Sequence, residues 1–215
     1  VVDGKATGAA VDLAQVAAGG GGYAITGLAG AGASVADAGD VNGDGLHDIL
    51  LGATGAAAAF VVYGQAGHVA VDLADVAAGV GGFAIRADAA GDLAGIVVLG
   101  GQDLNRDGVA DLVIGASHDS EGGANAGAVY VVWGGSGRAV NLAEVAQGIG
   151  GAKVVGAAGS LAGAALAFAG DVNGDGVTDL MIGAPGSGER VQVLFTPTAW
   201  QPDANIYGTS GDDVM

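Results

Sequence analysis

The chain contains no cysteine, three prolines, and only six lysines and arginines against 23 acidic residues. Without cysteine there are no disulfides and no thiolate metal sites. A formal charge of −17 argues against nucleic acid and anionic membrane surfaces as partners. Aromatic residues make up 5% of the chain, so the core must be largely aliphatic. The stretch from Ile49 to Val71 lacks charge, but Gly52, Gly55, Gly64 and Gly67 interrupt it. It reads as strand, turn and strand, with no membrane insertion. His47, His68 and His118 fall in separate loops, with no nucleophile-and-base pattern beside them. The expectation is a chain without catalytic activity.

Glycine is what abounds, 45 of 215 residues, in a sequence that is 51% hydrophobic. That apolar fraction excludes disorder. The glycines argue against a helical bundle, since each costs about 1 kcal/mol in a helix interior. Short strands joined by tight turns fit, and they recur. VDLAQVAAGGGGYAI begins at Val11, VDLADVAAGVGGFAI at Val71 and VNLAEVAQGIGGAKV at Val140, at intervals of 60 and 69 residues. The DLAxVA part predicts one helical turn with Asp12, Asp72 or Asn141 as N-cap and its Leu and Val inward. Apolar strands follow in register: DILLGA, DLVIGA and DLMIGA, then FVVYG, VYVVWG and VQVLF. About four short strands per unit predict an all-β fold, a β-propeller with three to three and a half blades of four antiparallel strands.

Ahead of each DILLGA-type strand stands an acidic loop: DVNGDGLHD at 40–48, DLNRDGVAD at 103–111 and DVNGDGVTD at 171–179. Calcium takes six to eight oxygen ligands around a sharply curved backbone. In the first loop the donors are Asp40, Asn42, Asp44, the Leu46 carbonyl and Asp48. The second offers Asp103, Asn105, Asp107, the Val109 carbonyl and Asp111. The third offers Asp171, Asn173, Asp175, the Val177 carbonyl and Asp179. Oxygen ligation without sulfur or imidazole disfavours zinc and copper. An EF-hand would need Glu at the twelfth position, where Leu51, Ile114 and Ile182 stand. Three Ca2+ sites in β-hairpin loops are therefore expected. Arg106 replaces the glycine of the other two loops, which predicts the weakest binding in the second.

These residues resemble the FG-GAP repeat, the blade unit of integrin alpha chains and of many bacterial surface proteins. The GAP element reads GAT at 52–54, GAS at 115–117 and GAP at 183–185, and the FG element reads Ala-Gly at 31–32, 94–95 and 162–163. The resemblance implies a partial blade at 1–30, repeats at about 31–93, 94–161 and 162–204, and extracellular ligand binding. NIYGTSGDDVM, 205–215, is similar to the entry of an RTX calcium-binding array, which implies a larger protein secreted by a bacterium. Val1-Val2-Asp3-Gly4 aligns with Val61–Gly64 and Val131–Gly134, so the chain is expected to enter at a third strand. NIYG is a candidate fourth strand of the last blade. The remaining blades of a parent chain or a second copy would then cover the open ends.

The expected partner is a protein or glycan on a cell surface, met at the end opposite the acidic loops. The longest loop there is SHDSEGGANAG, 117–127, and its Ser117, His118, Asp119, Ser120, Glu121 and Asn125 are the candidate contacts. The alternatives are a structural calcium-stabilised spacer and a non-catalytic propeller attached to a secreted hydrolase.

Overall fold

The computed structural model describes residues 1–4, 10–188, 190–197 and 206–207. It begins with helix α1 (Leu13–Ala17) and the short strand β1 (Ile25–Thr26). Strands β2 (Ala31–Gly39), β3 (Asp48–Ala53) and β4 (Ala58–Val62) follow, then β5 (Val71–Asp72), α2 (Leu73–Ala77) and β6 (Gly82–Arg86). The same series returns as β7 (Val98–Gln102), β8 (Asp111–Ala116), β9 (Ala128–Val132), β10 (Val140–Asn141), α3 (Leu142–Val145) and β11 (Gly151–Val155). Last come β12 (Ala165–Gly170), β13 (Asp179–Ala184), β14 (Arg190–Leu194) and β15 (Ile206–Tyr207).

The fold is all-β, a partial β-propeller. Strands β2, β3, β4 and β6 form one antiparallel blade, and β7, β8, β9 and β11 the next. A third sheet holds β12, β13 and β14. The central strands are buried on both faces, which is why they read as unbroken apolar runs instead of alternating ones. At the start of the chain, Asp3 N donates to Gly21 O at 2.9 Å. Tyr63 N to Gly81 O and Trp133 N to Gly150 O repeat that bond, so residues 1–4 do occupy a third-strand position.

Each one-turn helix is capped as its sequence predicts: Asp12, Asp72 and Asn141 accept from the N–H two residues on, at 2.9, 2.8 and 3.0 Å. Leu73, Val76, Leu142 and Val145 point inward, but Leu13 of the first helix is exposed and only Val16 is buried.

One strand assignment is corrected. Ile206–Tyr207 runs parallel to β11 of the second blade and is no fourth strand of the third. It takes the place that Val140–Asn141 takes on β6 and Val71–Asp72 on β1. Each such dipeptide straps onto the outer strand of the preceding blade. The rest of the NIYGTSGDDVM segment lies outside the described residues.

The core lies between blades. One cluster joins Leu50, Val61 and Ile85 to Leu112, Ile114 and Tyr130; another joins Val113, Val129 and Val131 to Leu180 and Ile182. The blades touch backbone to backbone at two glycines. A side chain at Gly52 would stand 1.8 Å from Gly95 O, and one at Gly115 2.3 Å from Gly163 O. Glycine at these positions lets aliphatic faces close to contact distance.

Candidate metal centre

The three acidic loops connect the first and second strands of their blades, so all leave the propeller on one end. Their internal bonding is nearly identical. Asp40 accepts from the N–H groups of Gly43, Asp44 and Gly45 at 2.7, 3.1 and 2.8 Å. Asp171 accepts from Gly174, Asp175 and Gly176 at 2.7, 3.0 and 2.9 Å. Asp103 accepts from Asp107 and Gly108 at 3.2 and 2.9 Å. Asn42, Asn105 and Asn173 each accept from the N–H two residues on and donate to the carboxylate there. Asp44, Asp107 and Asp175 accept in turn from the N–H of Leu46, Val109 and Val177, each at 2.8 Å.

The last acid of each loop ties the hairpin to the blade. Asp48 accepts from Val41 N at 3.0 Å and Gly64 N at 2.8 Å. Asp111 accepts from Leu104 N and Gly134 N at 2.8 and 2.9 Å. Asp179 accepts from Val172 N and Thr196 N, both at 2.9 Å. All three are buried. Burial is what moves Asp111, whose pKa is pushed up to about 6, aided by the charges of Asp107 and Asp103 and opposed by its two N–H donors. Burial raises Asp48 likewise. The half-buried Asp40 moves the other way: the Gly45 N–H, then those of Gly43 and Asp44, hold it below the usual carboxylate value. A buried acid above its ordinary pKa is a carboxylate short of positive charge.

The donor set suits a hard divalent cation, being all oxygen on a tightly curved loop. In the state described here the acids bind the loop's own N–H groups. Among the described residues no three acidic or histidine side chains converge at metal-ligating positions. The asparagine amide nitrogen bridges to the fifth-position carboxylate. A cation would therefore require that amide to turn and the carboxylates to draw together, and each carboxylate oxygen can accept more than one bond, so the N–H bonds need not be given up.

Arg106 departs from expectation. It holds the loop's left-handed position, φ 64°, where glycine stands in the other two loops. Its guanidinium leaves its own loop, donates to the backbone oxygen of Asp175 and lies 4.0 Å from Asp175 Oδ1. The cation is thus shared with the third loop, so its charge bears on that site as well as on its own. His47 likewise turns out of its loop to pair with Asp37 at 2.9 Å, and this hydrogen bond raises its pKa.

At the opposite end, the 117–127 loop is anchored from beneath. Asp119 Oδ2 accepts from Lys153 Nζ at 2.8 Å and from the Tyr130 hydroxyl at 3.0 Å, and Asp119 Oδ1 accepts from Glu121 N at 2.9 Å. Lys153 Nζ also reaches Glu121 Oε2 at 2.6 Å and lies 4.9 Å from the Tyr130 ring centre. Ser117 and Asp119 are buried, whereas His118, Ser120, Glu121 and Asn125 are exposed. Of the six candidate contacts, four are therefore exposed and two buried, and Asp119 and Glu121 are the two that Lys153 holds. Lys153 and Tyr130 were missed from the sequence. Their signal was a lysine in GGAKV where the other units have GGYAI and GGFAI.

Two of the blades carry this geometry within a known repeat. Residues 94–132 and 162–194 match the FG-GAP repeat. Each stretch contains one acidic loop complete, flanked by the first three strands of its blade. The chain is also similar to Integrin alpha-7 of Mus musculus, 34% identical over 94 residues, 43% of this chain and 7% of that protein. Integrin alpha-7 of Rattus norvegicus is 34% identical over 125 residues, 52% of this chain and 10% of that protein. The chain thus spans about a tenth or less of these relatives.

Proposed function

We propose that these residues form a non-catalytic, calcium-binding β-propeller module of a secreted or cell-surface protein, which binds a protein or glycan ligand. The observation that carries the reading is the threefold loop: the same four oxygen-bearing side chains, bonded nearly alike, on one end of three consecutive blades, two of which match the FG-GAP repeat. A solvated polar turn needs no such repetition. Calcium would be held by Asp40, Asn42, Asp44 and Asp48 with the Leu46 carbonyl, and by the matching residues of the other loops. It would supply the charge that buried Asp48 and Asp111 lack.

Ligand binding falls to the opposite end, where His118, Ser120, Glu121 and Asn125 stand on an anchored loop. A loop held by a buried ion pair loses little freedom on binding. The extracellular setting rests on the integrin similarity; no helix among the described residues is long and apolar enough to cross a membrane. Calorimetric titration with calcium tests the first half of the reading: three bound ions support it and none refutes it. Glycan and cell-binding arrays test the second half. Binding that disappears when residues 120–125 are shortened supports the ligand loop. Silence on every array would favour the structural spacer.

A further inference from the structure

We infer that Lys153 and Asp119 join in an intramolecular amide bond, formed by the folded chain itself with Glu121 carrying the proton. Lys153 stands in the middle of β11, opposite Tyr130 of β9, and its side chain is 1% exposed. The matching position of the preceding blade is Ala84, opposite Phe60, and the matching turn, residues 54–57, holds no acid. The lysine and the two acids thus come as a set, in one blade. An anchor needs a single acid. Here two converge on one Nζ, Asp119 Oδ2 at 2.8 Å and Glu121 Oε2 at 2.6 Å.

The groups that an acyl transfer to an amine requires are all in place. A nitrogen 2.8 Å from one carboxyl oxygen is about 3.5 Å from the carboxyl carbon, which is near-attack range. Asp119 Oδ1 accepts from Glu121 N at 2.9 Å, so an N–H already points at the oxygen on which negative charge develops. The Tyr130 hydroxyl donates at 3.0 Å to Oδ2, the oxygen that leaves. The step balances without a co-reactant. One Nζ proton crosses to Asp119 Oδ2, which gives a neutral amine and a carboxylic acid. Nζ then attacks Cγ, and Glu121 takes a second proton from the nitrogen. As the adduct collapses, the Cγ–Oδ2 bond breaks and Glu121 returns its proton, so that Oδ2 departs as water. The third proton stays on the amide nitrogen, and Glu121 is a carboxylate again. Burial disfavours the charged lysine, but its bonds to Asp119, Glu121 and Tyr130 favour it, so the neutral amine is scarce and the step is slow. Its product is a neutral amide, free of the desolvation that a buried ion pair carries. Glu121 is 40% exposed, which gives the water a way out. The bond ties residues 34 apart in a chain that has no cysteine for a disulfide. Before the step, the same side chains form the ion pair described above.

Intact-mass spectrometry of the 215-residue chain, kept folded with calcium and denatured just before measurement, reads the bond. The chain is expected one water lighter than its sequence, and a protease digest should yield one branched peptide joining Asp119 to Lys153. Lys153→Arg keeps a cation but offers no amine, and should show the full sequence mass. Asp119→Asn should lose one ammonia in place of one water, because the side-chain nitrogen is then what leaves. Glu121→Gln keeps both partners and should slow the loss of water about 100-fold. A wild-type chain still at full sequence mass after a week in the folded state overturns the proposal. So does a loss of water that persists in Lys153→Arg, which would place the dehydration elsewhere in the chain. Equal rates with and without the Glu121 carboxylate would overturn the role assigned to it.

Discussion

At the scale of single residues, two cations carry most of the specific electrostatics, and each acts on a neighbour far away in sequence. Arg106 sits in the second acidic loop and lies against Asp175 of the third. A calcium ion held by Asp175 would meet a positive group that the first loop lacks. Replacing it by the glycine of the sister loops, Arg106→Gly, is therefore expected to tighten the third site. It also frees the left-handed position of its own loop from side-chain strain. An effective dielectric near 20 makes a unit charge at about 8 Å worth about 2 kcal/mol. Exposure and salt reduce that to a gain of a few-fold in affinity. Site-resolved titration, with Asp40→Ala and Asp103→Ala removing the other two sites, would measure it; equal affinity with and without Arg106 refutes the coupling.

Lys153 is the second. It is fully buried, bonded to Asp119 and Glu121, and these bonds raise its pKa despite the opposing effect of burial. A lysine whose folded pKa exceeds its ordinary 10.5 gives stability that is complete below that value. The stability is lost only as pH rises through the higher folded value. The anchor should hold unchanged from mildly acidic to mildly alkaline solution and loosen under strong alkali. Lys153→Met strands Asp119 in the core and is expected to cost about 3 kcal/mol, read from urea unfolding. Amide exchange within 117–127 should accelerate, whereas the acidic loops should keep their calcium affinity. A loss of less than about 0.5 kcal/mol would mean the lysine is no anchor.

At the scale of elements, much was legible because each signal is local. DILLGA, DLVIGA and DLMIGA are apolar, short and followed by a turn, and each became the buried second strand of a blade. The Asp and Asn caps act within two residues, so they too could be read directly. What failed depends on partners distant in sequence. Ile206–Tyr207 lacks the Val-Asp-Leu or Val-Asn-Leu spelling of its counterparts, and only its pairing with Val154 and Val155 reveals its role. Leu13 repeats Leu73 and Leu142 in sequence but is exposed where they are buried, because burial depends on what packs against the helix and the local sequence does not report that. The direction of Arg106 was hidden for the same reason: it depends on how near the next blade stands. At the acidic loops the residue types were legible, whereas the hydrogen-bonded arrangement of their carboxylates was not. That arrangement makes the ninth-position acids the structural members of each hairpin. Asp179→Asn should keep one of its two backbone bonds and turn an amide donor against the other N–H. A loss of about 1–3 kcal/mol is expected even with EDTA present, whereas Asp171→Asn should cost less in EDTA, because Asp171 is exposed and water can replace the N–H bonds it accepts. Equal effects of the two in EDTA would contradict this division.

At the scale of the whole molecule, the excess of negative charge and the stacking of blades oppose each other. The formal charge is −17, and nine of the 23 acidic residues lie in loops gathered on one end. Blade packing fixes those loops beside one another, and Arg106 is the basic residue that bridges two of them. Without divalent cations this end repels itself, so folding should be linked to anything that supplies positive charge. The linkage has a predictable size. A site filled at about 100 times its Kd contributes roughly 2.7 kcal/mol, so three filled sites contribute about 8 kcal/mol. For a domain of this length, 1 kcal/mol moves Tm by about 2–4 °C, which puts the full shift at about 15–30 °C. Monovalent salt should reproduce part of it. Screening weakens repulsion among exposed charges over about 10 Å at 0.1 M. The calcium-free protein should therefore gain stability with added sodium chloride, and the loaded protein should gain less. Scanning calorimetry in EDTA and in calcium, each at low and high sodium chloride, would measure both. A calcium-independent Tm would remove the metal from the stability of the fold. A salt response of equal size in EDTA and in calcium would show that the acidic end is not where the repulsion lies.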